Sequence, residues 1–164
     1  MIRAVVDDLA FIEADAVLRP ADATLEPVTA AAVRLDRQAG ARFLEQRRLA
    51  VPLEAGAAVI TGSGDLTAPF VVHVIIQDPN TVTTRETVKR ALTAAWQRAG
   101  EWGLARLAAA PLGAGAGLLD FDDAAELMAE TFPTNSDCPR ELAIVLERDD
   151  DLAAVEAAIR RRRA

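Results

Sequence analysis

The chain has 164 residues, of which 51% are hydrophobic and 26% charged, with a formal net charge of -7 at neutral pH. This length fits one domain over residues 1–164 with a full hydrophobic core, and the acidic excess argues against general nucleic-acid binding, which depends on basic side chains. The single cysteine, Cys138, excludes an intramolecular disulfide, and the single histidine, His73, leaves too few ligands for a Cys/His zinc site.

The first residues of the chain are acidic. Asp7, Asp8, Glu13 and Asp15 stand where a signal peptide needs an apolar run, and no stretch is apolar for long enough to span a bilayer. We therefore expect a cytoplasmic protein without membrane contact.

Lys89 is the only lysine, which argues against a P-loop or a Schiff-base site.

Six apolar runs predict strands, and four amphipathic patterns predict helices. We expect strands at residues 3–6, 15–18, 57–61, 70–76, 104–110 and 141–146, most of them apolar on both faces. We expect helices at 29–49, interrupted at Gly40, and at 84–102, 121–132 and 149–163. This alternation predicts a three-layer α/β/α sandwich with ligands at the carboxyl ends of its strands.

Two helices carry clear terminal signals. A Thr83-x-x-Glu86 capping box precedes an apolar stripe that we expect in the core, made of Val88, Leu92, Ala95, Trp96 and Ala99. The last helix places Leu152, Val155 and Ile159 on one face. Its four arginines, residues 160–163, suit the negative end of a helix dipole better than a nucleic-acid-binding tail.

The segment Pro111-Leu112-Gly113-Ala114-Gly115-Ala116-Gly117 joins an apolar strand to a helix that begins near Asp120. Glycines at alternate positions let the backbone approach a ligand and present N–H groups, and the helix N-terminus adds partial positive charge. The pattern indicates a phosphate or diphosphate site. A glycine turn after a strand also serves as a plain tight connection, so both interpretations stay open.

Other reactive residues have structural explanations. His73 lies in an apolar strand without a serine or cysteine motif beside it, which favours a core histidine over a general base. The acidic groups at Asp120, Asp122 and Asp123 and at 149–151 start helices, where the dipole favours carboxylates. Cys138 has only Arg140 as a nearby cation in sequence, which argues against a reactive thiol.

Three segments together resemble the macro domain family, whose members bind ADP-ribose or related metabolites. Val5-Val6-Asp7-Asp8-Leu9 and the run from Ala14 to Leu25 are similar to the family's GDI turn and its DAIVNAAN-x-x-L run. The stretch from Ala58 to Leu66, leading to Val71-Val72-His73, is similar to T-x-G-x-x-L and V-I-H. The third segment is the glycine turn. The resemblance implies a central mixed, mostly parallel sheet.

The resemblance also assigns site residues. Asp8, with Leu9 beside it, matches the acid that accepts from the adenine amino group, and Asp22 stands where the family has the asparagine of the distal ribose. The second phosphate loop corresponds to Gly113, Ala114, Gly115, Ala116 and Gly117. The implied partner is a nucleotide such as ADP-ribose, free or on an ADP-ribosylated protein. No metal, cofactor or catalytic residue is implied.

The departures from the family pattern concern the phosphates and the distal ribose. The family's GGG loop is here Glu26-Pro27-Val28-Thr29-Ala30, in which Glu26 adds negative charge and Pro27 has no N–H. An ionised Asp22 cannot donate a hydrogen bond to a ribose. Arg19 or Arg34 could compensate by pairing with phosphate.

These departures lead to three hypotheses. The first is a binding module for ADP-ribose or a related adenine diphosphate, with weakened or altered preference and no catalysis. The second is a hydrolase of ADP-ribosyl esters or of ADP-ribose phosphate, in which Asp22 activates water. The third is a degenerate macro fold that serves protein association.

Overall fold

The computed structural model describes residues 1–163, leaving aside the side chains of residues 116–118. The strands are β1 (Ile2–Val6), β2 (Ala16–Asp22), β3 (Ala58–Gly62), β4 (Phe70–Gln77), β5 (Arg106–Ala109), β6 (Leu112–Leu119) and β7 (Glu141–Leu146). The helices are α1 (Ala30–Ala39), α2 (Ala41–Gln46), α3 (Arg85–Glu101), α4 (Phe121–Thr131) and α5 (Leu152–Arg163), with a 3-10 turn at Asp149–Asp151. In the described part of the chain, none of these helices has the length and apolar character to cross a membrane.

Six strands form one sheet in the order β1-β7-β5-β2-β4-β3. All neighbours run parallel except β3 and β4, which are antiparallel, so the sheet is mixed and mostly parallel, as expected. β2 lies in the interior between β5 and β4. Because parallel strands end at the same edge, the residues that follow β1, β2, β5 and β7 meet there.

Helices cover both faces of the sheet. Successive strand residues point to opposite faces, and along β7 Leu142 and Ile144 belong to the core beneath α3, α4 and α5. Ala143 and Val145 pack instead with residues of α1 and α2. This arrangement confirms the three-layer sandwich that the apolar runs predict.

β2 is longer than its apolar run predicts. The expected strand ends at residue 18, whereas pairing with β4 continues through Arg19 and Pro20, which lie opposite His73 and Val74. The interruption of the first helix at Gly40 is confirmed, and its φ of +87° is in the left-handed region that favours glycine. The fifth strand is shorter than expected, at Arg106–Ala109.

The predicted capping box of α3 is displaced by one residue. Thr84 Oγ1 accepts from the amide of Thr87 at 3.2 Å, and Thr87 Oγ1 accepts from the amide of Thr84 at 3.3 Å. Thr83 is not the cap, because its hydroxyl donates to the carbonyl of Ile76 at 2.8 Å. The apolar stripe of α3 is buried as expected.

The basic end of α5 attaches this helix to α4. Arg161 and Arg162 pair with Glu126 at 3.3 and 2.9 Å, and Arg163 donates to the carbonyl of Phe132 at 2.7 Å. These contacts agree with the interpretation of residues 160–163 as a helix end. They give the arginines a structural role within the described fold.

Candidate functional site

Two adjoining cavities open at the edge of the sheet where β1, β2, β5 and β7 end. One, of about 270 Å³, is lined by Ala114 and Gly115 and is termed the glycine cavity; the other, of about 330 Å³, is lined by Asp7 and Asp8 and is termed the aspartate cavity. They form one cleft because both are lined by Leu9, Ala31, Arg34, Leu35, Ala110, Val145 and Glu147.

The first turn of α1 forms one wall of the glycine cavity. Thr29 caps the helix, its Oγ1 accepting from the amide of Ala32 at 3.1 Å, and residues 29–32 all line the cavity. The first amides of an α-helix have no intrahelical partner, and together with the helix dipole they favour a bound anion. The amide of Ala32 is already held by Thr29, whereas Ala30 is exposed and Ala31 half-buried, so the start of this turn is the part that a ligand can reach. The segment that lacks the family's glycines therefore still supplies a helix N-terminus.

The glycine segment begins with the expected tight turn, in which the amide of Ala114 donates to the carbonyl of Pro111 at 3.2 Å, and it continues along the strand β6. Gly115 has a φ of +80° and is exposed in the glycine cavity, where a Cβ would lie 3.8 Å from Cγ2 of Thr29. Gly113 is buried with a φ of +100°, and its Cβ would come within 2.9 Å of Cδ1 of Leu119. Ala114 lines the cavity beside Gly115. The predicted site residues Ala116 and Gly117 lie outside the residues whose side chains are described.

The aspartate cavity contains the predicted adenine-binding residue. Asp8 is exposed, and its Oδ1 accepts from the amide of Ala10 at 2.9 Å, which holds the turn after β1. No donor from the described residues reaches its Oδ2. Leu9 lines both cavities and so lies where they join. Asp8 and Leu9 are thus placed in the same cleft as Ala114 and Gly115.

Asp22 lies apart from this group. Its Oδ1 accepts from the amide of Thr24 at 2.9 Å, the hydroxyl of Thr24 at 3.0 Å and the amide of Glu26 at 2.9 Å. It is absent from the described lining of both cavities. The carboxylate therefore shapes the turn after β2, and a role in ligand binding or water activation stays a prediction.

The negative charge of Glu26 is partly balanced. Arg47 Nη1 lies 3.2 Å from Glu26 Oε1 and also donates to the carbonyl of Leu25 at 3.0 Å. This contact ties α2 to the turn after β2. Repulsion between Glu26 and an anion in the cleft is correspondingly reduced.

Arg19 lies at the wall of the glycine cavity, but it is fully buried and its guanidinium is bound by neighbouring groups, so the alternative in which it pairs with a phosphate is wrong. Its Nε and Nη2 donate to the two carboxylate oxygens of Asp36 at 2.6 and 2.7 Å, and Nη2 also donates to the carbonyl of Leu25 at 2.7 Å. These bonds commit the guanidinium to α1 and to the turn after β2. Arg34 is the remaining candidate of the two.

His73 is a core histidine, as the sequence predicts. Its Nδ1 lies 3.1 Å from Nη1 of Arg19, and because a guanidinium only donates, Nδ1 accepts. The proton therefore resides on Nε2, which donates to Oγ1 of Thr61 at 2.8 Å, and Thr61 in turn donates to the carbonyl of Gly62 at 2.9 Å. Burial, then the positive charges of Arg19 and Arg47, lower the pKa of His73 well below 6.5.

Charged side chains meet at the junction of the two cavities. Arg34 of α1 forms an ion pair with Glu147, which follows β7, and both line both cavities. Arg148 and Asp151 line only the glycine cavity. Glu147, Arg148 and the α1 cap are not predicted from the sequence because their proximity depends on the fold, although a threonine before an alanine-rich helix is a recognisable cap signal.

The acidic group at the start of α4 is not part of the described lining of either cavity, although Phe121 beside it lines the glycine cavity. Carboxylate oxygens of Asp120, Asp122 and Asp123 lie within 4.8 Å of one another. Asp120 is the N-cap, and the other two lie in the first turn. Their position agrees with the helix-start interpretation, since a helix N-terminus favours negative charge.

Comparisons with known proteins point to one family. The family model of the macro domain matches residues 19–128, more than half of the chain. An uncharacterized protein of Mycobacterium tuberculosis is 31% identical over 121 residues, which are 74% of this chain and 34% of that protein. The chain thus spans about a third of the length of this relative.

Solved structures share the fold. A mutant macrodomain of Oceanobacillus iheyensis with ADPR has a TM-score of 0.78 at 18% identity, covering 96% of this chain and 91% of that one. The Trypanosoma brucei macrodomain in complex with ADP has a TM-score of 0.81 at 13% identity, covering 96% of this chain and 68% of that one. The TM-scores show that the fold is shared, and at identities this low the likeness concerns the fold alone.

Proposed function

Because the chain belongs to the macro domain family, we propose that its cleft binds an adenine nucleotide with a diphosphate, either ADP-ribose or ADP. The observation that carries this proposal is the joining of two chemically different cavities. One end offers the carboxylate of Asp8, and the other offers the α1 N-terminus facing Gly115. A ligand with a hydrogen-bond donor at one end and phosphates at the other suits such a cleft.

The adenine would occupy the aspartate cavity. Asp8 Oδ2 would accept from the exocyclic amine, while Leu9 and Val145 would contact the apolar faces of the ring. The phosphates would lie in the glycine cavity, between the first turn of α1 and β6. Solved relatives with ADPR and with ADP support this choice of ligand class.

We propose binding without catalysis. The described lining of the glycine cavity contains no histidine, cysteine, serine or lysine, which are the usual nucleophiles and bases. The same described lining holds two carboxylates: Glu147 is paired with Arg34, and Asp151 belongs to the 3-10 turn before α5. An ADP-ribosyl group on a protein would present the same adenine and diphosphate, so a modified protein is a second form of the proposed ligand.

Calorimetric titration with ADP-ribose, ADP and AMP tests the proposal. We expect saturable binding of ADP-ribose and ADP and weaker binding of AMP, which lacks the second phosphate. Gly115→Val narrows the gap to Thr29 and should weaken ADP binding at least tenfold, on the order of the loss of one good polar contact. Absence of heat with all three ligands would contradict the proposal.

A matched variant distinguishes the effect of a side chain in the cavity from the effect of backbone strain. Gly103 also has a positive φ, +68°, and a Cβ there would meet nothing within 4 Å. Gly103 is not part of the described cleft lining, so Gly103→Val introduces comparable strain far from the ligand. It should bind ADP as the wild type does. Equal losses in both variants would show that strain, and not the cleft, is responsible.

A further inference from the structure

The pair formed by Arg34 and Glu147 stands between the two cavities. Of the residues that line both cavities, these two are the charged ones. Arg34 Nη2 donates to Glu147 Oε1, which joins the second turn of α1 to the segment after β7. A ligand that extends from the aspartate cavity into the glycine cavity must therefore pass this pair.

The pair is accessible and costs little to separate. The side chains of Arg34 and Glu147 are 52% and 69% exposed. Ion pairs this exposed add little to folding stability, because water solvates both partners well when they part. The contact can therefore open without loss of the fold, and a more highly charged anion can compete for the guanidinium.

The two partners have opposite effects on an incoming phosphate. Arg34 provides planar donors that match phosphate oxygens, and it is carried by the helix whose N-terminus lines the same cavity. Glu147 repels an anion and occupies one of these donors. Resting on the proposed nucleotide-binding function, we propose that Arg34 binds a ligand phosphate and that Glu147 holds Arg34 in the empty cleft until the phosphate displaces it.

This exchange predicts selectivity by charge. An arginine–carboxylate contact is replaced by an arginine–phosphate contact, and the freed carboxylate of Glu147 turns to water. A diphosphate gains more from this exchange than a monophosphate, and a ligand without phosphate gains nothing. The pair would thus act as a specificity-determining gate between the two ends of the cleft.

Titrations of wild type, Arg34→Gln and Glu147→Gln with ADP and with adenosine test the gate. Arg34→Gln should weaken ADP binding on the order of tenfold, the equivalent of one charge-assisted hydrogen bond. Glu147→Gln should tighten ADP binding several-fold, because it removes a repulsive charge and releases Arg34. Adenosine binding should be the same in all three proteins.

Two control variants reproduce the charge changes outside the cleft. Arg37→Gln removes a charge from the exposed surface of the same helix, and Glu45→Gln removes one from the exposed surface of α2; neither residue belongs to the described cleft lining. Both should bind ADP as the wild type does. If they reproduce the effects of Arg34→Gln and Glu147→Gln, long-range charge explains the result and the gate is overturned.

The signs of the effects decide the inference. If the ion pair has a purely structural role, both cleft variants should lose ADP affinity, and if it has no role, neither should change. Either result overturns the gate. The proposed function still stands in both cases as long as the wild type binds ADP. A wild-type protein that binds neither ADP nor ADP-ribose overturns the proposed function, and the gate falls with it.

Discussion

The guanidinium of Arg19 on β2 holds the carboxylate of Asp36 on α1 through hydrogen bonds of 2.6 and 2.7 Å. Arg19 is fully buried and Asp36 is 4% exposed, so this pair fastens α1 to an interior strand of the sheet. Because the first turn of α1 lines the glycine cavity, the pair also fixes the position of that wall.

Removing one partner of this buried pair should be strongly destabilising. Arg19→Met leaves Asp36 buried, and the cation that remains near it in the described part of the chain is Arg47, whose Nε lies 3.6 Å away, too far for a good hydrogen bond. We expect a loss of about 3–5 kcal/mol in the free energy of unfolding, measured by urea denaturation. The double variant Arg19→Met/Asp36→Leu should recover part of this loss, because no buried charge is left unpaired. A double variant that is as unstable as the single one would contradict this account.

The folded protein should lose stability on mild acidification because of His73. Its pKa is lowered well below 6.5 by burial and by the charges of Arg19 and Arg47, whereas the unfolded chain takes up this proton near pH 6.5. Between these two pKa values the unfolded state binds more protons. The free energy of unfolding should therefore fall as the pH drops below about 6.5, by about 1.4 kcal/mol per pH unit at the steepest.

Urea titrations at pH 7.5, 6.5 and 5.5 measure this dependence. His73→Gln keeps a polar side chain but cannot take up the proton, so its stability should change less over this interval than that of the wild type. Carboxylates titrate mainly at lower pH and should affect both proteins alike. Identical slopes in the two proteins would exclude His73 as the cause.

The layers of the fold are predictable from local patterns, but the buried polar contacts are not. Apolar runs and helical stripes such as Val88, Leu92 and Ala99 depend on neighbours within one element, and they identify the strands and helices. Arg19 interrupts such a run with a charge, and its partners Asp36 and His73 are 17 and 54 residues away. From the sequence alone, an Arg19 that faces solvent or a ligand is as good an interpretation as the buried Arg19 that the structure shows.

The candidate site is predictable only in part for the same reason. Asp8 and the glycine segment follow strands of one sheet, so strand topology alone places them at one edge. Glu147 meets Arg34 across 113 residues of sequence, and no local pattern marks that contact. The predicted position of the α3 cap is wrong by one residue because Thr83 and Thr84 are adjacent threonines, and either could be the N-cap by sequence. The hydroxyl of Thr83 donates to the carbonyl of Ile76 instead, which leaves Thr84 as the cap.

Gly64 should tolerate no side chain. It follows β3 with a φ of +61°, and a Cβ would lie 2.3 Å from the carbonyl oxygen of Ala39 at the end of α1. Gly103 has a similar φ of +68° with nothing within 4 Å, so Gly103→Ala reports the backbone strain alone, about 1–2 kcal/mol. Gly64→Ala should lower the melting temperature clearly further. Equal melting temperatures would show that α1 shifts to make room.

Asp8→Asn should impair adenine recognition without disturbing the fold. The asparagine keeps Oδ1 to accept from Ala10, but it replaces Oδ2 by an amide donor that opposes the adenine amine. We expect calorimetry to show ADP-ribose binding weakened by about 10- to 100-fold, the usual cost of losing a hydrogen bond to a charged group.

The loss of negative charge in Asp8→Asn should by itself strengthen the binding of an anion, whereas the loss of the hydrogen bond should weaken the binding of ADP-ribose. Loss of a negative charge by itself favours an anionic ligand, so inorganic pyrophosphate, which lacks adenine, should bind unchanged or slightly more tightly. Glu13→Gln makes the same charge change at an exposed residue outside the described lining of both cavities, and it should leave ADP-ribose binding intact. If Asp8→Asn binds ADP-ribose as well as Glu13→Gln does, the adenine does not contact Asp8 and the ligand must lie elsewhere in the cleft.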